Sequence, residues 1–158
     1  MSWIHNIMVP VDFSECSKKA LQCAFVLGLR YGAKIYALTC NEGYVVGPEL
    51  VKGNLPQDKA QNLLENIKAC SRKETEERFS AFLKSENVEE HNVEIEKIVV
   101  QGTPYVEIVR LAKERDVELI VIGTQGRHGL GRVLLGSTTE KVVQMAHCAV
   151  MTVRGGED

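Results

Sequence analysis

The chain has 158 residues, of which 44% are hydrophobic and 25% are charged, and its formal net charge at pH 7 is −2. This length suits one domain with a substantial core, so residues 1–158 are predicted to form a single domain. Because the net charge is small, the composition indicates neither a nucleic-acid partner nor a membrane-surface partner. No apolar run reaches the roughly 18 residues of a membrane span, and no signal-type segment begins the chain, so a cytoplasmic protein is expected.

The five cysteines and four histidines form neither a disulfide pattern nor a metal-binding pattern. The cysteine count is odd, no CxxC pair occurs, and the histidines are scattered along the chain. Reduced and mostly buried thiols are therefore predicted, without a structural metal. For Cys40, a small buried apolar side chain is favoured over a redox sensor.

Strand signals and helix signals alternate along the whole chain. Runs of β-forming residues predict five strands, at Ile4–Val11, Lys34–Cys40, Asn92–Val100, Leu119–Ile122 and Ala149–Val153. Apolar residues at helical spacing predict four helices, from about Ser14 to Gly32, Gln57 to about Asn87, Tyr105 to Arg115 and Ser137 to Ala146. This alternation predicts an α/β fold in which a five-stranded parallel sheet carries helices on both faces.

Capping residues mark the predicted helix ends. Ser14 or Asp12 is suited to cap the first helix, with Ser17 as a further candidate, and Ser137 is expected to cap the last one. Gly32 suits the position that follows a helix C-terminus. A long loop, Asn41 to Pro56, is expected between the second strand and the second helix, and loops of this length are usually functional or disordered.

The predicted helices differ in how clearly they show a buried face. The third is expected to bury Val106, Val109, Leu111 and Ala112. In the second helix, the polar run from Ser71 to Arg78 is interpreted as a solvated face with i,i+4 ion pairs.

Glycines are concentrated in the segment that follows the fourth predicted strand. Five of them lie in the fourteen residues from Gly123 to Gly136, and the segment has two arginines and a histidine but no carboxylate. Glycine lets the backbone approach a ligand closely. Backbone N–H groups that lead into a helix N-terminus form a ready anion site. Since ligands of open parallel sheets bind at the carboxyl ends of the strands, this segment predicts a phosphate site.

The spacing of this segment is specific. Gly123, two residues, Gly126, nine residues, Gly136 and then Ser137 resemble the G-x2-G-x9-G-[S/T] signature of ATP-binding universal stress proteins. The opening stretch IMVPVDFSECSKKAL and the closing stretch VIGTQGRHGLGRVLLGSTTEKVVQMAHCAVMTV also resemble this family. The resemblance implies a Rossmann-like fold of the adenine-nucleotide alpha hydrolase-like type, with strand order 3-2-1-4-5.

The resemblance also implies an ATP site and its residues. Asp12 would accept the ribose hydroxyls, and the backbone around Thr39 and Cys40 would read the adenine. A cation, Mg²⁺ or Mn²⁺, would be held mainly by the phosphates and water, with no protein metal ligand. The complete set of implied ATP-binding residues is Pro10, Val11, Asp12, Thr39, Cys40, Ile122, Gly123, Thr124, Gly126, Arg127, Gly136, Ser137, Thr138 and Thr139.

Several alternatives stay open for these residues and for the function. For Asp12 the alternative is a structural role at a helix N-terminus, which is compatible with the ligand-binding role that its position in the family favours. Arg127 and Arg132 are equally suited to a solvated loop. The resemblance implies an ATP-binding regulatory protein of the stress response. A slow ATPase is one alternative, although no residue has the pattern of a base that activates water. A nucleotide-free interaction module of the same fold is the other.

The last predicted strand would lie at an edge of the sheet. An apolar exposed edge favours pairing with a second chain, and relatives commonly dimerise through this strand. A homodimer through Val150 to Val153 is therefore expected.

Overall fold

The computed structural model describes residues 3–43, 56–87, 92–125 and 135–155. Within these ranges the elements alternate in the predicted way. They are β1 (Asn6–Pro10), α1 (Glu15–Tyr31), β2 (Lys34–Asn41), α2 (Gln57–Ser85), β3 (Ile95–Gln101), α3 (Pro104–Glu114), β4 (Leu119–Gly123), α4 (Ser137–Met145) and β5 (Ala149–Val153).

The five strands form one parallel sheet in the order β3-β2-β1-β4-β5, which confirms the predicted fold class and strand order. Strand β1 lies at the centre, where Ile7 is opposite Ile35 of β2 on one side and Leu119 of β4 on the other. Strands β3 and β5 are the two edges. A parallel sheet of this kind needs both faces covered, which explains why its strands are apolar in sequence.

Alternate residues of the strands enter two separate cores. On one face, Val9 and Val121 pack with Phe25 of α1 and Phe79 of α2. The opposite face has its own core; its members from the sheet, α3 and α4 include Met8, Leu38, Ile120, Ile122, Ile108, Leu111 and Val142. Helices α1 and α2 therefore cover one face of the sheet, and α3 and α4 cover the other.

The predicted ends of α1 are confirmed in detail. Ser14 is the N-cap, and its side-chain oxygen accepts a hydrogen bond from the N–H of Ser17 at 3.2 Å. Gly32 follows the helix with φ of +66°, and its N–H donates to the carbonyl of Gly28. A residue without a Cβ adopts this left-handed conformation at little cost, which explains glycine at this position.

Two predictions about the helices are wrong. Val106 of α3 is exposed, and the buried residues of this helix are Ile108, Leu111 and Ala112, which share one face at i, i+3 and i+4. Helix α4 begins at Ser137 but its N-cap is Gly136, with no side-chain hydrogen bond at the cap. The third strand also begins three residues later than predicted, at Ile95.

The predicted loop between β2 and α2 falls mostly outside the described residues, which resume at Pro56. No helix in the described ranges combines the length and the apolar character that crossing a bilayer requires.

Replacing Phe79 by alanine is expected to lower the free energy of unfolding by about 3–5 kcal/mol, because its ring is fully buried between α2 and the sheet. Urea unfolding followed by circular dichroism measures the change. Leu63→Ala on the same helix is the control, since Leu63 is 47% exposed and its loss should cost no more than about 0.5 kcal/mol. Equal unfolding midpoints for the two variants would contradict the packing described here.

Candidate functional site

A cavity of about 810 Å³ opens where β1, β2 and β4 reach their carboxyl ends. We call it the carboxyl-end cavity. Strand order reverses direction at β1, so this is the switch point at which open α/β sheets bind ligands. The cavity therefore lies at the edge of the sheet where the sequence predicts that a ligand binds.

One side of the carboxyl-end cavity is apolar. Leu38, Ile108 and Ile122 belong to the core under α3 and α4, and each also reaches the cavity surface. This apolar wall comprises Pro10, Leu38, Cys40, Pro104, Ile108 and Ile122. Such a surface, with backbone polar groups at the strand ends, is suited to a flat apolar ring.

Asp12 stands at the centre of a local hydrogen-bond chain. Its Oδ1 atom accepts from the backbone N–H of Ser14 at 3.0 Å and from the Ser14 hydroxyl at 2.5 Å. The Ser14 hydroxyl in turn caps α1 through Ser17. Asp12 therefore fixes the residue that caps the helix, so its structural role and a ligand-binding role are compatible.

Phe13 lies between these two residues in an unusual backbone conformation. Its φ is +68°, which a bulky L residue rarely adopts. The conformation directs the ring to α2, where Phe79 and Phe82 meet it edge-on at 6.2 and 5.6 Å between ring centroids. These aromatic contacts offset the backbone strain and attach the Asp12 turn to α2.

The opposite end of the cavity is formed by the start of α4. Gly136, Ser137, Thr138 and Thr139 all reach the cavity surface. The first N–H groups of a helix have no partner within it, and none of the described side chains caps them here. Because the helix dipole adds positive potential at this end, the start of α4 is suited to an anion.

Two predicted site residues do not line the cavity. Thr39 is buried, and its hydroxyl donates to the carbonyl of Val11 at 2.9 Å. Thr124 is also buried, and its backbone joins β5 to the start of α4, through Val153 and Gly136. Both threonines therefore lie beneath the cavity surface, where their hydrogen bonds connect the elements that form it. Gly126 and Arg127 lie outside the described residues.

The hydroxyl of Thr139 is already used within the protein. It donates to the carbonyl of Gly123 at 2.7 Å, and the residue is only 4% exposed. This bond connects the first turn of α4 to the end of β4. The hydroxyl therefore holds α4 against the end of β4.

Gly123 is required by close packing. A Cβ on this residue would lie 2.7 Å from Cβ of Cys16 and 2.9 Å from its carbonyl carbon. Both distances are far shorter than a normal van der Waals contact, so α1 approaches the end of β4 only because residue 123 has no side chain. The same residue reaches the cavity surface.

Cys40 lines the cavity as a protonated thiol. Burial, with a smaller contribution from the charge of Glu107, raises the pKa of Cys40 to about 12. A thiol with this pKa is a poor nucleophile at neutral pH. The structure therefore supports the interpretation of Cys40 as a small apolar side chain.

One wall of the cavity was missed by the sequence interpretation. It consists of Ser71, Glu74, Thr75 and Arg78, and we call it the α2 wall. The i,i+4 ion pairs predicted for this region do form, between Arg72 and Glu76 and between Lys73 and Glu77. The remaining polar residues follow i, i+3, i+4 and i+7 spacing and so share one helix face. This spacing is the feature of the sequence that could have indicated a shared polar face.

Replacing Thr139 by valine is expected to lower the free energy of unfolding by about 1–3 kcal/mol, because the buried carbonyl of Gly123 loses its donor while the side-chain shape is kept. Thr139→Ser retains the hydroxyl and loses one methyl group, which should cost about 1 kcal/mol or less. Thermal and urea unfolding in the absence of nucleotide would measure both. A valine variant as stable as wild type would show that this hydrogen bond contributes nothing.

The chain is similar in sequence to universal stress proteins. The sequence profile of the universal stress protein family matches residues 4–154. Universal stress protein MJ0531 of Methanocaldococcus jannaschii is 34% identical over 149 residues, which cover 94% of this chain and 81% of that protein.

Solved structures show the same fold. The structure of hypothetical protein MJ0577 superimposes with a TM-score of 0.78 at 22% identity, covering 98% of this chain and 99% of that chain. A universal stress protein solved in complex with cAMP has a TM-score of 0.58 at 21% identity, with 96% and 97% coverage. The chain belongs to the universal stress protein family.

Proposed function

We propose that this chain is an ATP-binding regulatory protein of the cytoplasmic stress response, and that ATP binds in the carboxyl-end cavity with Mg²⁺ or Mn²⁺. The observation that carries the proposal is the meeting of three features in one cavity. They are an apolar wall, an acidic side chain held beside it, and the start of a helix whose N-cap, Gly136, has no side chain.

The apolar wall fits the adenine ring. Cys40 and Ile122 contribute side chains at the ends of β2 and β4, and Ile108 contributes one from α3. A planar base would bury its faces against these groups, and the strand ends would supply N–H and C=O groups to its edge. The proton-bearing thiol of Cys40 adds no charge to this wall.

Asp12 fits the ribose. A carboxylate accepts hydrogen bonds from hydroxyl groups, and the two bonds from Ser14 hold its Oδ1 atom in a fixed position. A preorganised acceptor loses little side-chain entropy on binding a ligand.

The start of α4 fits the phosphates. Ser137 and Thr138 occupy the first turn at the cavity surface, where backbone N–H groups and hydroxyl groups are donors. A bound Mg²⁺ or Mn²⁺ would supply positive charge to the phosphate oxygens, held by those oxygens and by water.

The cAMP complex of a relative supports this assignment, since that protein binds an adenine nucleotide on the same fold. Regulation is proposed to follow from the position of the cavity. Gly43, Gln125 and Leu135 line it. ATP occupancy would change the surface that these residues form at the cavity, and a partner protein would recognise the changed surface.

Replacing Asp12 by asparagine is expected to weaken the binding of both ATP and adenosine by about tenfold, because the ribose loses a charged acceptor. Isothermal titration calorimetry with Mg²⁺ present measures both ligands. Asp116→Asn is the matched control, since Asp116 precedes β4 at the opposite end of the sheet and does not line the cavity.

The same titrations test the proposal as a whole. A wild-type protein that binds no adenine nucleotide would overturn it in favour of a nucleotide-free interaction module. Release of phosphate beyond one turnover per site within minutes would favour the slow ATPase instead.

We further propose that the protein is a homodimer through Val150 to Val153. Strand β5 pairs with β4 on one side and is an edge of the sheet on the other. Met151 on this strand is an exposed apolar side chain, and so is Met145, the last residue of α4, four residues before the strand begins. Pairing of β5 with β5 of a second chain would satisfy the backbone N–H and C=O groups of the open edge and cover these side chains.

Light scattering at micromolar concentration should give the mass of two chains for wild type. Met151→Lys should give the mass of one chain, because a charge on the edge strand would face its own copy across the two-fold axis. Leu29→Lys is the control, since Leu29 is an exposed side chain on α1. A wild-type mass of one chain would refute the dimer.

A further inference from the structure

The α2 wall contributes charge and hydroxyl groups to a cavity whose other walls belong to the sheet and its loops. Two of its members are already engaged. The hydroxyl of Ser71 accepts from the side-chain amide of Asn41 at 2.8 Å, and the hydroxyl of Thr75 donates to the carbonyl of Ser71 at 2.9 Å. Arg78, one turn further along the helix, differs from them.

Arg78 does not form the ion pair that its position in the helix favours. Glu74 precedes it by four residues, the favourable order for a Glu–Arg pair on a helix surface. Arg72 and Glu76 on the same helix form such a pair at 3.0 Å. Among the described residues, however, no carboxylate oxygen lies within 4 Å of the Arg78 guanidinium.

The guanidinium of Arg78 is instead placed over the ring of Phe13. Its central carbon lies 4.2 Å from the ring centroid. That ring is itself held by Phe79 and Phe82. A guanidinium that stacks on an aromatic face keeps its N–H donors in its own plane, where they are available to a carboxylate or phosphate.

The positive charge of Arg78 matters because the other charged side chains described in the carboxyl-end cavity are acidic. Among the described residues that line the cavity, Arg78 is the one with a cationic side chain, whereas Asp12, Glu42 and Glu74 carry carboxylates. A ligand with several negative charges needs compensating positive charge, and the Arg78 guanidinium provides it with a geometry that matches a phosphate.

We propose that Arg78 contacts the phosphate chain of the bound nucleotide, with Phe13 as the surface that orients its guanidinium. The proposal rests on nucleotide binding in this cavity. Helix α2 covers the sheet face opposite to α4, so phosphates at the start of α4 would receive donors from both sides of the sheet. Arg78 is a ligand-contacting residue and Phe13 is a positioning residue in this arrangement.

The test compares ATP with adenosine, since the two differ by the phosphate chain alone. Calorimetry in the presence of Mg²⁺ should show that Arg78→Gln weakens ATP binding by about tenfold and leaves adenosine binding unchanged. Arg72→Gln is the matched control, because Arg72 lies on the same helix, is exposed, and does not line this cavity. It should bind both ligands as wild type does.

Arg78→Lys provides a second variant that keeps the charge and loses the planar fork. Its affinity for ATP should fall between those of wild type and Arg78→Gln, with melting temperatures in the absence of ligand confirming that each variant is folded.

Two results would overturn the proposal while leaving nucleotide binding intact. One is wild-type affinity for ATP in both Arg78 variants. The other is an equal loss of affinity for ATP and for adenosine, which would place Arg78 at the nucleoside. A wild-type protein that binds neither ligand would overturn the proposed function and this inference together.

Discussion

The double pairing of strand β1 is the constraint on which the rest of the molecule depends. It is hydrogen-bonded to β2 on one side and to β4 on the other. The helices that precede β2 and β3 cover one face of the sheet, and the helices that precede β4 and β5 cover the other face. The helices that leave the carboxyl ends of β1 and β4 therefore diverge to opposite faces. The space between them is the carboxyl-end cavity, and it exists because of this topology, whatever side chains line it.

Much of this arrangement can be predicted from the sequence because its signals are local. Strands with both faces buried are apolar along their length, as Leu119–Gly123 is, and such runs are recognisable without any tertiary information. The N-cap Ser14 and the left-handed Gly32 are local as well, since each acts within one turn of its own helix. The order of the strands and the residues predicted to bind ATP are implied by the resemblance alone, and the structure confirms the order.

What could not be predicted depends on contacts between distant parts of the chain. The hydroxyl of Thr39 bonds to Val11 and that of Thr139 to Gly123, and no spacing within the sequence distinguishes such hydroxyls from those available to a ligand. The α2 wall is a similar case. A polar helix face that lines a cavity has the same sequence pattern as a polar helix face exposed to water. Which of the two environments the face has depends on how Phe79 and its neighbours pack against the sheet.

Gly123 has a consequence for how the glycine signature of this family is interpreted. Its hydrogen atom faces the first turn of α1, and a methyl group there would force α1 away from the end of β4. The position is thus constrained by folding before any ligand arrives. A chain of this fold that had lost its nucleotide would still keep glycine here, so the first glycine of the signature reports how tightly a helix approaches the sheet, and evidence for a phosphate ligand has to come from the residues that follow it.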